Sequence, residues 1–129
     1  MNDDEILSLV EYARRQDFAI RFIEYMDAGN VNAWQPEKVV PAKEILAVIG
    51  ARFPLRQTGR DDGSRGGAPA VDYEFADGGG EVGVIASVTE PFCGDCTRVR
   101  LTAEGRLVTC LFAETGRDLK ALLRAGAGD

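Results

Sequence analysis

Apolar residues Ile6, Leu9, Val10 and Ala13 recur at intervals of three and four, the spacing of one helix face. Asp3 and Asp4 precede them, and Asn2 and Glu5 stand three apart as in a capping box. Arg14 and Arg15 close the last turn, so the charges follow the helix dipole at both ends. Residues 18–26 then turn aromatic and β-branched, which predicts a strand stopped by Asp27-Ala28-Gly29-Asn30. A helix followed by a strand is half of a repeating α/β unit. Such a unit needs a parallel neighbour, and the remaining sequence shows no obvious one.

After a loop holding Trp34 and Pro36, Pro41 suits a first helical position. Glu44, Ile45, Leu46, Val48 and Ile49 continue that helix to Gly50 or to Phe53-Pro54. Residues 58–69 are rich in Gly, Asp and Arg and lack an apolar anchor, which predicts a mobile loop with Arg60 and Arg65 in solvent. Residues 70–75 alternate, as do Val82, Val84, Ala86 and Val88, with Asp77-Gly78-Gly79-Gly80 between them: a β-hairpin. A second hairpin is expected from residues 97–102 and 106–111 around Ala103-Glu104-Gly105, then a short helix over 118–124 and a frayed tail. The class is α+β.

Composition narrows the function. The 129 residues suffice for one modest domain, and 45% apolar content argues against disorder. A net charge of −6 argues against nucleic acid as a partner, so any anionic ligand needs a local arginine cluster. No apolar run is long enough for a bilayer, and the acidic start is unlike a signal peptide, so a cytoplasmic location without membrane contact is expected. Three cysteines are an odd number for a disulfide framework, and the absence of histidine removes a common zinc ligand and general base.

All three cysteines lie close together, in Pro91-Phe92-Cys93-Gly94-Asp95-Cys96-Thr97-Arg98-Val99-Arg100-Leu101 and at Cys110. Cys93 and Cys96 can hold one metal centre from a tight loop that Gly94 lets turn, while Cys110 returns from the next strand. Three thiolates leave tetrahedral zinc one ligand short, whereas a four-iron cluster can keep one iron open for a small ligand. Zinc with Asp95 or an exogenous fourth ligand is the competitor; inert buried thiols and a dithiol redox pair rank lower. Arg98 and Arg100 are two apart on a predicted strand and share a face opposite Val99 and Leu101. Two forked guanidiniums side by side fit a phosphate. A three-residue turn with left-handed Gly105 would pair Thr102 with Arg106 and Arg98 with Cys110, putting Cys110 on the arginine face. Two arginines alone would read as the wet face of a hairpin; beside three cysteines they read as an anion clamp.

Arg21-Phe22-Ile23-Glu24-Tyr25-Met26, Gly83-Val84-Ile85-Ala86-Ser87-Val88, the Pro91–Leu101 run and Gly105-Arg106-Leu107-Val108-Thr109-Cys110-Leu111-Phe112 resemble the GTP 3′,8-cyclase family, molybdenum cofactor biosynthesis protein A. The resemblance runs over residues 2–126. It implies a radical S-adenosylmethionine (SAM) enzyme with an incomplete (β/α) barrel, and it assigns residues 1–29 to the last helix–strand unit of that barrel. Residues 30–129 become a C-terminal iron–sulfur and GTP-binding domain with two hairpins and short helices. The resemblance implies that Cys93, Cys96 and Cys110 ligate a second [4Fe–4S] cluster whose open iron holds the guanine of GTP. It implies that Arg98, Arg100 and the backbone of Val99 bind GTP, that Met26 and Arg21 lie against SAM, and that the enzyme forms dimers. No residue is expected to act as a catalytic acid or base. The sequence lacks the family's CxxxCxxC motif and its terminal glycine pair, so it reads as a C-terminal fragment, inactive without the N-terminal barrel.

Two other readings compete. A zinc-stabilised structural module would hold one zinc and no GTP. An interaction domain would use its exposed helix and strand edge against a separate subunit.

Overall fold

The first helical segment begins as a 3-10 turn, Asp3–Glu5, and continues as α1, Ile6–Arg15. The expected capping box does not form. Asn2 makes no side-chain cap bond, and its carbonyl instead accepts the Glu5 amide at 3.1 Å. Ile6, Val10 and Ala13 are buried, as their spacing predicts. Helix α2 spans Ala42–Arg52. Pro41 is its extended N-cap rather than its first helical residue, and the helix runs through Gly50 to stop before Phe53-Pro54. In the computed structural model, the residues described are 2–27, 33–58 and 68–126. The Gly29-Asn30 strand stop, the loop with Arg60 and Arg65, and the last three residues lie outside them.

The described residues form two compact units, one up to Cys96 and one from Thr97 onward. The division expected at residue 29 falls within 28–32, outside the described residues.

In the first unit, β1 (Ile20–Ile23), β2 (Leu55–Thr58), β3 (Val71–Phe75) and β4 (Glu81–Ile85) form one sheet in the order β1-β4-β3-β2. β3 and β4 make the expected antiparallel hairpin. The chain also supplies the parallel neighbour that its sequence seemed to lack: β1 pairs with β4, Ile20 opposite Val82 and Phe22 opposite Val84. β2, which lies partly in the predicted loop, pairs antiparallel with β3.

The core joins Ile6 and Val10 of α1 and Ile45 and Ile49 of α2 to Phe75 and Val82 of the sheet. Ile20, Phe22, Leu55 and Tyr73 flank it, so both helices cover one sheet face. Arg14 plugs its rim, its guanidinium 4.7 Å from the Phe53 ring and 4.3 Å from the Phe75 ring, with Asp77 at 2.6 Å. Ile49 is wholly buried. Ile49→Ala leaves a cavity there and is expected to cost about 2–5 kcal/mol, read from the urea midpoint of the first unit's unfolding.

The second unit is a three-stranded antiparallel sheet, β5 (Arg100–Leu101), β6 (Arg106–Val108) and β7 (Arg117–Asp118), followed by α3 (Leu119–Arg124). The expected hairpin is therefore two-thirds of a larger sheet. Gly116 lets the returning chain lie on β6: a Cβ there would come within 2.6 Å of Val108 Cγ1 and 2.7 Å of the Leu107 carbonyl oxygen. Asp118 caps α3 by accepting the Ala121 amide at 3.0 Å. Among the described residues from Thr97 on, none is fully buried, and Leu101, Phe112 and Leu123 are exposed.

Candidate functional site

Cys93 opens a 3-10 turn, Cys93–Asp95, and Cys96 caps it, its amide reaching the Cys93 carbonyl at 3.4 Å. The turn brings both residues of the CxxC pair onto one loop in the first unit. Cys93 is exposed and Cys96 half-buried. Cys110 follows β6 in the second unit, exposed, and accepts the Phe112 amide on its sulfur at 3.4 Å. None of the three forms a disulfide. Among the described residues, no group of three or more His, Cys, Asp or Glu side chains is gathered as a metal site.

The β5–β6 turn has the expected geometry. Gly105 is left-handed at φ 75°, its amide donates to the Thr102 carbonyl at 2.9 Å, and Thr102 pairs with Arg106. Arg100 then faces Val108, so the register is the one inferred from the turn residues. The ladder begins at Arg100, and Arg98 and Cys110 lie two residues beyond its end. The polarity is inverted relative to a solvated hairpin. Arg98 and Arg100 are half-buried, whereas Val99 and Leu101 are 57% and 65% exposed. Arg100 Nη1 is shielded from water and has no hydrogen-bond partner among the described residues. Arg14 has a similar nitrogen, but two aromatic faces receive its guanidinium. Arg100 has no such ring contact among the described residues.

Arg21 lies at the second position of β1, opposite Gly83. Its guanidinium reaches across that glycine to Asp72 at 3.3 Å; a Cβ at Gly83 would come within 2.7 Å of Asp72 Oδ1. Met26 is half-buried, three residues past the end of β1. Arg21 thus sits on the sheet face away from the helices, and the strand end lies nearer Met26.

One residue escaped the sequence reading. Glu24 is 2% exposed, the only buried charged side chain among the described residues. Its Oε1 accepts the Ala42 amide at 2.7 Å and the Thr89 hydroxyl at 2.6 Å. Its Oε2 accepts the Val88 and Thr89 amides, both at 2.8 Å. Burial pulls the carboxyl upward, but the Thr89 hydroxyl and the Thr89, Ala42 and Val88 amides outweigh it and hold the group below its ordinary value. Strand parity carried the signal: Ile20 and Phe22 point to the core, and Glu24 is the next residue of that parity.

Residues 18–129 match the family model described as Molybdenum Cofactor Synthesis C. The GTP 3',8-cyclase of Synechococcus sp. (strain WH7803) is 47% identical over 125 residues, covering 97% of this chain and 35% of that protein. That of Xanthomonas campestris pv. campestris (strain B100) is 48% identical over 126 residues, covering 98% and 36%. That of Acidothermus cellulolyticus is 46% identical over 125 residues, covering 97% and 34%. The chain therefore spans about a third of the length of these relatives. With the match extending from the first strand through the cysteines and the arginine hairpin, the chain belongs to the Molybdenum Cofactor Synthesis C family.

Proposed function

We propose that this chain is the substrate-binding part of a GTP 3',8-cyclase, the activity named for its relatives, in molybdenum cofactor biosynthesis. It acts with an N-terminal radical SAM barrel that carries the CxxxCxxC motif. The shielded, unpartnered Nη1 of Arg100 is the observation that carries this reading. A guanidinium nitrogen shielded from water without a partner is costly, and a phosphate oxygen is an acceptor its geometry suits. Arg98 and the Val99 amide directly precede it in the chain, so two charges and a backbone donor lie within three residues.

The donor set fits an iron–sulfur cluster: three thiols outside any disulfide and no histidine in the chain. Cys93, Cys96 and Cys110 would hold it. Bound there, a cluster would supply one iron without a protein ligand, open to a donor atom of the purine. The second unit also suits such an anchor. With no fully buried residue among those described, it lacks the core that usually holds so small a piece together, and a metal ligated by Cys110 offsets that. The protein's own share of the chemistry is positioning. Arg98 and Arg100 neutralise triphosphate charge and set the orientation of the nucleotide, and Met26 borders the SAM side. Arg21, already paired with Asp72, contributes there by exchanging that exposed partner.

Anaerobic reconstitution with iron and sulfide tests the reading. About four irons per chain, and an absorption spectrum that shifts on adding GTP, are expected. One zinc per chain, with no iron uptake and no GTP-induced change, would replace it with the zinc-stabilised module.

A further inference from the structure

Glu24 holds together three segments distant in sequence. Its carboxylate caps α2, whose N-cap Pro41 has no side chain able to do so, by accepting the Ala42 amide. The same carboxylate takes two successive amides and a hydroxyl from Val88 and Thr89. Its backbone adds two more ties, the Glu24 amide to the Ile85 carbonyl at 3.1 Å and the Ser87 hydroxyl to the Glu24 carbonyl at 3.1 Å. β4 ends at Ile85, so residues 86–92 have no strand partner to guide them toward Cys93. Beside local turn bonds from the Ser87 amide to Ile85 and the Glu90 amide to Ala86, Glu24 supplies the side-chain anchor that ties this segment to β1 and α2.

We propose that Glu24 is a positioning residue for the Cys93–Cys96 loop. Through Val88 and Thr89 it sets where the CxxC pair stands relative to the end of β1. Four donors saturate both oxygens, and only a carboxylate accepts from all four at once. Glutamine keeps one acceptor oxygen, and with its NH2 turned to Ala42 it still holds the Val88 and Thr89 amides, so only loss of both oxygens, as in Glu24→Leu, releases the loop. The consequence for metal binding rests on the functional reading above; the consequence for the loop does not.

The test uses the metal-free 129-residue chain and site-resolved alkylation of the three thiols by iodoacetamide, quantified by mass spectrometry. Cys96 is the reporter because it is half-buried, and Cys110, in the other unit, is the reference. Glu24→Leu is expected to raise the Cys96 rate relative to Cys110 by about tenfold, with Val88 and Thr89 amides exchanging faster. Thr89→Val, which removes one of the four bonds, is expected to move the ratio the same way by less. An unchanged ratio in both variants overturns the proposal. So does a parallel rise at all three cysteines with loss of the folded circular dichroism signal, which would make Glu24 a general stabiliser. If the ratio rises as expected in a chain that takes up no iron, the positioning role stands and the cluster assignment falls.

Discussion

Serine at Cys93, Cys96 or Cys110 is expected to reduce iron uptake on anaerobic reconstitution from about four irons per chain to near none. The effect is large because no spare thiol or imidazole is at hand. The chain has three cysteines and no histidine, and a serine hydroxyl stays protonated at neutral pH where a thiolate is needed. Cys110 is the most informative of the three, since it belongs to the unit that begins at Thr97 while Cys93 and Cys96 close the unit before it. Loss of iron in all three variants, measured by iron and sulfide analysis, would establish a single three-thiolate centre. Full retention in Cys110→Ser would confine any metal to the CxxC loop and sever the link between metal and arginine hairpin.

Arg100→Ala is expected to weaken GTP binding to the reconstituted chain by about 10–100-fold while leaving its iron content unchanged. The magnitude is that of one or two charge-assisted hydrogen bonds in a half-buried setting, where water competes poorly. Arg100→Lys should recover part of the loss, because it restores charge but not the forked donor that meets two phosphate oxygens. Raising salt should narrow the gap between wild type and Ala variant, since part of the attraction is long-range. Titration calorimetry at two salt concentrations separates these contributions. Wild-type affinity in Arg100→Ala would remove the anion clamp, and the shielded Nη1 would then need another explanation.

The two arginine environments show why a shielded guanidinium nitrogen carries weight only in context. Arg14 and Arg100 each have a nitrogen out of contact with water and without a hydrogen-bond partner among the described residues. At Arg14, rings of Phe53 and Phe75 and the carboxylate of Asp77 answer the charge, and the residue is part of the core's edge. At Arg100 the apolar residues on either side in the chain, Val99 and Leu101, face solvent instead. A hairpin that exposes its apolar side and shields its arginines contradicts ordinary patterning, and such conflicts gather where function requires them.

Legibility followed the range of the interactions. Helix faces were readable because Ile6, Val10 and Ala13 on α1, and Ile45 and Ile49 on α2, repeat at a spacing that is local. The β5–β6 register was readable to the residue, because Gly105 can adopt φ 75° at no steric cost and a three-residue turn admits one pairing. The CxxC loop was equally legible. The capping box at Asn2 was not realised because the helix starts as a 3-10 turn, whose carbonyl bond satisfies the same amide. β2 and β7 were missed because each is short, four and two residues, and has too little alternation to stand out. Each becomes a strand only by borrowing the edge of a stronger neighbour, β3 or β6.

What the amino-acid sequence determined alone was therefore local: helix faces, the Gly105 turn, the β5–β6 register and the spacing of the thiols and guanidiniums in residues 93–110. Tertiary structure decided the parallel pairing of β1 with β4, which joins residues about 60 apart, and with it the fate of Glu24. In sequence that glutamate is a polar break in an apolar strand. In the fold it is a buried carboxylate, because the pairing brings the α2 terminus and the Val88–Thr89 turn to within hydrogen-bond range of both its oxygens. Local pattern encodes which face a residue presents. Which donors converge on that face depends on long-range closure of the chain, and no short window of sequence contains it.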